Sequence, residues 1–126
     1  FHTIAKNADL DLPKDRIYDG VNLIPYILGE IDDAPHEYLY WQRGFSKALR
    51  TKQWKLLVNE DSGDTLLYDI INDPYESRNL AEAQKVQIEK LMLKHTLWSS
   101  ELADPLWPSM VHYQYREGEK VHYFDQ

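Results

Sequence analysis

Four short stretches in the middle of the chain are rich in aromatic and other apolar residues, and each is bounded by turn-forming residues. These stretches are 37–42, 45–50, 54–59 and 66–71. Such runs are typical of β-strands. The segments between them are short and rich in turn-forming residues, which suits hairpins and excludes the long crossovers of parallel strands. The pattern predicts an antiparallel meander of about four strands.

The longest helix is predicted over residues 82–102, where apolar residues recur every three or four positions. One face of this helix is broad enough to cover one side of the sheet. Its members are Ile88, Leu91, Met92, His95, Trp98 and Leu102. In the third strand, Trp54, Leu56 and Val58 share one side, and we expect that side to face the helix.

The same helix carries a second apolar stripe, Val86, Leu93 and Leu97, nearly opposite the first. A helix on the surface of a lone domain normally has one apolar face. The second stripe is therefore expected to be covered as well. Two alternatives stay open: Trp107 with the C-terminal tail, or a further domain.

Both ends of the chain predict smaller elements. Residues 1–10 resemble the end of a helix that begins without a capping residue, which suggests a helix cut from a longer protein. Residues 21–29 predict a short helix with Pro25 in its first turn and a glycine stop. Residues 109–124 predict a hairpin. The fold class is α+β: an antiparallel sheet of about four strands packed against one long C-terminal helix, with a short N-terminal helical segment and a C-terminal hairpin or extended tail.

Composition removes several classes of function. The 126 residues include 14 Lys and Arg against 21 Asp and Glu, which gives a net charge of −7. The basic residues are scattered, whereas a nucleic-acid surface needs them clustered. No apolar stretch reaches the roughly 18 residues of a membrane span. With 0 cysteines, disulfides, thiolate catalysis and sulfur-ligated zinc are excluded.

Five histidines do not predict a metal site. His95 lies in the apolar stripe of the helix and is expected in the core. Pairing Tyr115 with Lys120 in the C-terminal hairpin leaves His112 and His122 on different sides. The remaining two are isolated in sequence.

Two groups of carboxylates lack the spacing of a calcium loop. Asp61 and Asp64 are expected in a hairpin turn, and Asp69, Asp73 and Glu76 at a strand exit with capping roles. The sequence also lacks a Gly-rich phosphate loop, a Gly-x-Ser-x-Gly elbow and a His-Glu-x-x-His motif. The residues thus predict no catalytic centre in this chain.

Several motifs in fixed order nevertheless resemble one family. The middle of the chain is similar to its "A-x-R-x-G-x-W-K-L" hairpin, although Lys52-Gln53 stands where the family often has Gly-Asp, and to its "L-Y-D-L-x-x-D-P-x-E-x-x-N-L-A" segment. The matching segments are 1–5, 12–13, 19–29, 36–41, 48–51, 54–57, 67–69, 72–76, 79–81 and 105–109. The chain resembles the C-terminal subdomain of the formylglycine-dependent, arylsulfatase-like sulfatases of the alkaline phosphatase superfamily.

The resemblance implies that the full-length enzyme has two parts with different roles. Residues 1–35 would be the junction with a catalytic domain, and residues 36–126 the C-terminal subdomain. The full-length enzyme would hydrolyse sulfuric esters of a sulfated carbohydrate or an aryl sulfate, with the formylglycine and calcium in its N-terminal catalytic domain. This chain alone would be catalytically inert. The family further implies a periplasmic or secreted enzyme.

The segment 46–50, Ser-Lys-Ala-Leu-Arg, fits by its letters the pattern at which sulfatases generate formylglycine. In the family that pattern is followed by Gly and opens a helix in a large sheet. Here it lies in a predicted strand. We therefore interpret Ser46 as an ordinary strand residue.

The bend after the first strand carries the candidate substrate contacts. Gln42, Arg43, Phe45 and Lys47 lie there, and Arg43 and Lys47 are the cations best placed to meet an anionic sugar. His36, at the turn that enters the first strand, is a further candidate for the pocket rim, with a capping role as its alternative. A solvated hairpin tip is the alternative for the bend.

Two other functions remain open at this stage. The same subdomain would also suit a hydrolase of phosphate or phosphonate esters in the superfamily, since the residues that select sulfur over phosphorus lie elsewhere. A free-standing carbohydrate-binding module is the other alternative. It is suggested by four aromatic residues, Tyr38, Tyr40, Trp41 and Trp107.

Overall fold

The four predicted strands form one antiparallel sheet in the computed structural model. The structure describes residues 1–104, 106 and 112–125. At 112, 113, 117, 120 and 122–125 it describes the backbone alone. The strands are β1 (Leu39–Arg43), β2 (Ser46–Arg50), β3 (Trp54–Asn59) and β4 (Asp64–Asp69), and they pair in the order β1-β2-β3-β4. The predicted meander is confirmed. β4 begins and ends two residues earlier than predicted. The Asp69 side chain accepts hydrogen bonds from the backbone of Ile71 and Asn72, which turns the chain at once.

The chain divides into two compact units, Phe1–Glu37 and Tyr38–Gln126. The N-terminal unit contains α1 (His2–Asn7) and α2 (Ile24–Ile27). Both predicted helical segments are confirmed, and α2 is shorter than expected. The predicted roles of 1–35 as a junction and 36–126 as a subdomain stay a prediction.

Thr3 connects the two helical segments of the N-terminal unit. Its hydroxyl donates to the carbonyl of Val21 at 3.3 Å and accepts from the backbone N–H of Leu23 at 3.0 Å. Gly29 follows α2 with a φ of +72°, a conformation that L side chains rarely adopt, and so ends the helix as predicted.

The core lies on one face of the sheet. Leu49, Leu56 and Leu67 stand side by side in the register of β2, β3 and β4, and each is at most 1% exposed. Leu91 of the long helix packs in the same cluster. Trp54 and Val58 pack against it too, which confirms the predicted inward side of β3.

The long helix, α3, spans Lys85–Ser99 rather than 82–102. At its start, the N–H groups of Ala83 and Gln84 both donate to the Leu80 carbonyl, so the chain is still in a turn there. At its end, the bond from the Glu101 N–H to the Trp98 carbonyl spans three residues, and the last turn tightens out of the α-helix.

The outer stripe of α3 is exposed. Val86, Leu93 and Leu97 are 65%, 61% and 55% accessible. Trp107, one of the two alternatives for covering this stripe, lies outside the described residues. Both alternatives therefore stay open.

The segment between β4 and α3 protects the outer edge of the sheet. The Leu80 N–H donates to the Leu67 carbonyl at 2.8 Å. The Asn79 carboxamide oxygen accepts from the N–H groups of Leu67 and Ala81, each at 3.0 Å, and its NH₂ donates to the Thr65 carbonyl at 3.2 Å. Asn79 and Leu80 thus satisfy backbone groups that an edge strand would leave open.

The predicted C-terminal hairpin is present as β5 (His112–Glu117) and β6 (Lys120–Asp125). Its register differs from the expected one, because Tyr115 pairs with His122 and not with Lys120. His112 pairs with Asp125, so the two histidines are still not partners. Within the described ranges, no helix has the length and apolar character that crossing a membrane requires.

Candidate functional site

A cavity of about 860 Å³ lies at the end of the sheet formed by the β1–β2 hairpin. Its floor contains Trp41, Ala48, Leu57 and Leu66, which are direct neighbours in the register of the four strands. Residues opposite one another in a sheet share a face, and successive residues alternate. This apolar row therefore lies on the face opposite the α3 side. A sheet with one covered face usually presents polar residues on the other, so the row is unusual.

A polar row borders the floor toward the hairpin end. It consists of Arg43, Ser46, Asn59 and Asp64, again in direct register. Asn59 has a structural task, since its side-chain oxygen accepts from the N–H groups of the β3–β4 turn at 3.0 and 3.1 Å. The cavity thus combines an apolar floor with a hydrogen-bonding wall.

Three of the predicted rim residues, Gln42, Arg43 and Lys47, line this cavity, but the strand register places Arg43 on the Trp41 face of the sheet and Gln42 and Lys47 on the α3 face. Phe45 lies at the hairpin tip and is not part of the lining. His36 belongs to the N-terminal unit, outside the hairpin. The cavity therefore groups part of the predicted set.

The charge of Lys47 has a partner that the sequence did not indicate. Its Nζ lies 2.5 Å from Oε1 of Glu60. The lysine side chain is 20% exposed, and the pair spans 13 residues of sequence. Part of the positive charge offered to an anion at this end of the sheet is therefore already neutralised.

Three aromatic rings stack next to the cavity. Tyr38 stacks on Tyr40 with ring centres 5.9 Å apart, and Tyr40 stacks on Trp98 at 5.0 Å and 8°. Lys94 caps the far end, with Nζ 5.4 Å from the centre of the Tyr38 ring. Trp98 also lines the cavity. The sequence placed Trp98 in the core stripe of the helix, and nothing in its spacing marked it as a cavity residue.

His95 joins α3 to β1. It is 1% exposed, which confirms the predicted core histidine. Its Nε2 lies 3.1 Å from the Trp41 carbonyl, and because a carbonyl only accepts, Nε2 carries the hydrogen. Nδ1 is buried without a partner in the described part of the chain. This bond fixes the backbone that presents Trp41 to the cavity.

The carboxylates at the end of β4 and just after it are engaged in local hydrogen bonds at the predicted strand exit, but none of them caps α3, whose N-cap Gln84 has no side-chain cap bond. The pKa of Asp69 is lowered chiefly by the side-chain amides of Gln53 and Asn72, which donate to it at 2.9 Å. The pKa of Asp73 is lowered chiefly by the backbone N–H of Arg78, followed by that of Ser77. These carboxylates hold the turn.

Glu76 completes this segment. It has a φ of +55°, and both its oxygens lie 2.7 Å from the Lys55 Nζ. Over the described residues, no three His, Cys, Asp or Glu side chains are grouped so as to hold a metal ion. These residues do not fit the calcium of the sulfatase family.

Ser46 is the first residue of β2 and pairs with Arg43 and Asn59. The interpretation of this segment as a strand is confirmed. A strand in a small antiparallel sheet is not the start of a helix at a large sheet, which the formylglycine pattern requires.

We expect the melting temperature of the chain to fall as the pH drops below about 4, and Asp73→Asn to flatten that fall. The pKa of Asp73 is lowered in the folded state, so the unfolded chain takes up the proton first. The stabilisation is present above the ordinary carboxyl pKa and is lost as the pH falls through the folded value. Thermal melts followed by circular dichroism between about pH 3 and pH 6 measure the slope.

Ser77→Ala removes one of the three donors to Asp73 and should give an intermediate slope. A slope for Asp73→Asn as steep as that of the unmodified chain would contradict the assignment.

No protein-family model matches the chain. A segment of 40 residues is 42% identical to the steryl-sulfatase of Rattus norvegicus and covers 32% of this chain and 7% of that protein. The steryl-sulfatase of Homo sapiens matches over 40 residues at 45% identity, again 7% of its length.

Solved structures share the fold over most of the chain. The crystal structure of Ps i-CgsB matches 84% of this chain with a TM-score of 0.67 and 24% identity. The structure of a 2-O GAG sulfatase matches 79% with a TM-score of 0.52 and 22% identity. The chain is therefore similar in sequence to steryl-sulfatases over the 40-residue segment and shares its fold with part of a solved sulfatase structure.

The similarity concerns a part of those proteins. The chain covers 24% of Ps i-CgsB and 22% of the 2-O GAG sulfatase. It thus corresponds to a unit of about a quarter of a sulfatase structure, and it has the α+β architecture expected from the resemblance.

Proposed function

We propose that this chain is the C-terminal subdomain of a sulfatase that hydrolyses sulfuric esters of a sulfated glycan. The observation that carries the proposal is the match of 79% of the chain to 22% of a solved sulfatase structure, together with the local identity to steryl-sulfatases. The chain completes the fold beside a catalytic domain and forms part of the substrate-pocket rim. The enzyme is periplasmic or secreted.

The substrate class is supported by the structural neighbours. Ps i-CgsB was crystallised with k-i-k-neocarrahexaose, and another neighbour, with a TM-score of 0.57, with its substrate D-glucosamine-2-N,6-O-disulfate. A sulfated sugar carries negative charge, and guanidinium and ammonium groups pair well with such anions. Arg43 and Lys47 lie at one end of the sheet cavity, where such groups would meet the sugar.

The use of its polar groups in local contacts supports the proposal that the chain alone is catalytically inert. Asp69 and Asp73 accept hydrogen bonds from their own turn, and Glu76 is held by Lys55. Sulfate transfer needs a nucleophile and a group that stabilises the charge on the transferring sulfuryl group. We place both, as formylglycine and calcium, in the catalytic domain.

The outer stripe of α3, Val86, Leu93 and Leu97, offers a surface for that domain. Contiguous exposed apolar residues often mark an interface, and all three are more than half exposed. This is the reason to prefer a covering domain for the stripe.

The test compares this chain with the complete product of its gene. Both are assayed with 4-nitrophenyl sulfate and 4-nitrophenyl phosphate in the presence of calcium. We expect no turnover by the chain alone and sulfate ester hydrolysis by the complete product. Preferential hydrolysis of the phosphate ester would show that the complete protein is a phosphate ester hydrolase and not a sulfatase. Calcium-dependent turnover by the chain itself, unchanged in Ser46→Ala, would refute its inertness.

The rim is tested in the complete enzyme with a sulfated oligosaccharide substrate. Arg43→Ala should lower kcat/KM by about tenfold through loss of a charge-assisted contact. Lys47→Ala should also lower kcat/KM, by an amount that is limited by the charge that Glu60 already neutralises. Arg50→Ala, at the opposite end of the same strand, is the matched control. Equal kcat/KM for all three variants and the unmodified enzyme would refute the rim assignment.

A further inference from the structure

We propose that the sheet cavity is a saccharide subsite in which the Trp41 indole stacks on the face of a sugar ring. The proposal rests on the proposed function for the class of ligand, a sulfated glycan, but assigns recognition of the sugar ring itself to this chain. This subsite differs from the proposed cationic rim, which would bind only the sulfate group. An indole that stacks on the C–H face of a sugar ring binds the ring whether or not the ring carries sulfate.

The first argument is the exposure of Trp41. Its side chain is 52% exposed in the cavity floor, although an indole is the largest apolar group available to a core. The neighbour across the strand pair is Ala48, the smallest residue of the apolar row. Ala48 leaves space beside the indole for a flat ligand.

The second argument is the rigidity of the position. β1 pairs with β2 along its whole length, and His95 holds the Trp41 carbonyl at 3.1 Å from the other side. The backbone at Trp41 is therefore fixed by two elements. A preorganised aromatic group loses little conformational entropy when a ligand binds.

The third argument is the chemistry of the lining. A pyranose ring has apolar C–H faces and a rim of hydroxyl groups, so it needs an apolar surface bordered by hydrogen-bonding groups. The floor of Trp41, Leu57 and Leu66 supplies the first, and the guanidinium of Arg43 and the hydroxyl of Ser46, which share its face of the sheet, supply the second. A cavity of about 860 Å³ is within the size range of small-molecule sites.

The fourth argument is the position of charge. Arg43 lies at the hairpin end of the cavity, on the same face of the sheet as Trp41, whereas the floor is uncharged. A sulfate group on the bound sugar, or on its neighbour, would point toward the hairpin while the ring lies on the indole.

The experiment is calorimetric titration of the chain with a heparin-derived hexasaccharide and with the same hexasaccharide after desulfation. We expect Trp41→Ala to weaken binding of both by about tenfold, and Trp41→Phe, which keeps a flat ring, to retain most of the affinity. Tyr75→Ala removes an aromatic side chain that is exposed outside the cavity and should bind like the unmodified chain. Matching circular dichroism spectra and melts of the variants show that each is folded.

Unchanged affinity in Trp41→Ala would overturn the proposal. So would binding that is restricted to the sulfated sugar and lost only with Arg43→Ala or Lys47→Ala, because recognition would then depend on charge alone. Absence of sugar binding, with a poor yield of the complete enzyme carrying Trp41→Ala, would identify the row as a protein interface and also overturn it. Sugar binding through Trp41 by a chain whose complete enzyme hydrolyses no sulfate ester would refute the proposed function and leave the subsite standing.

Discussion

Replacing Leu67 by alanine is expected to lower the free energy of unfolding by about 3 kcal/mol. Leu67 is 0% exposed, and in the sheet register it lies beside Leu56. Leu91 of α3 belongs to the same buried cluster. Truncation removes apolar contacts with both the sheet and the helix and leaves a cavity that a rigid sheet fills poorly. Urea denaturation followed by far-UV circular dichroism measures the change.

Leu66→Ala is the matched control for this prediction. Leu66 is the preceding residue of the same strand and lies on the cavity side, where it is only partly buried. The same truncation there should cost much less. If Leu66→Ala destabilised the chain as much as Leu67→Ala, the assignment of the core to the α3 side would be wrong.

Asn79→Ala is expected to lower the free energy of unfolding by about 2 kcal/mol. The lost carboxamide oxygen accepts from the N–H of Leu67 and the N–H of Ala81. Because Leu67 is fully buried, its N–H has little access to replacement by water, and an unsatisfied buried donor bears the desolvation cost in full. Urea denaturation is again the measurement.

Asn79→Asp separates the two halves of the carboxamide. The aspartate keeps an oxygen for Leu67 and Ala81 and loses the donor to the Thr65 carbonyl, which lies at 3.2 Å. We expect a smaller loss of stability than for Asn79→Ala. An aspartate variant as unstable as the alanine variant would show that the bond to Thr65, and not the bond to Leu67, dominates.

These predictions bear on the candidate site because the core holds the cavity. The same strands present the leucine core on one face and the Trp41 row on the other. His95 adds a direct bond from the helix to the Trp41 carbonyl. A substitution in the core that loosens the sheet should therefore also weaken the proposed sugar subsite.

The elements and their local chemistry could be predicted from the amino-acid sequence. Alternation over 54–59 identified β3 and its inward side, since a strand's period of two forces Leu56 and Leu57 to opposite faces. The structural role of Asp73 was also predictable. The residues that donate hydrogen bonds to it lie four and five positions further along the chain, within the reach of a turn. The residues that follow Asp73 in the sequence were therefore enough to predict its role.

The cavity could not be predicted from the sequence, because it forms only when the strands have paired. Trp41, Ala48, Leu57 and Leu66 become one row through the register of three strand pairs, and a register depends on loop conformation and on packing of the whole sheet. Trp98 meets Tyr40 across 58 residues of chain and Lys47 meets Glu60 across 13. Local propensity carries no information about such pairs, because each contact forms only after the helix has packed on the sheet or the strands have paired.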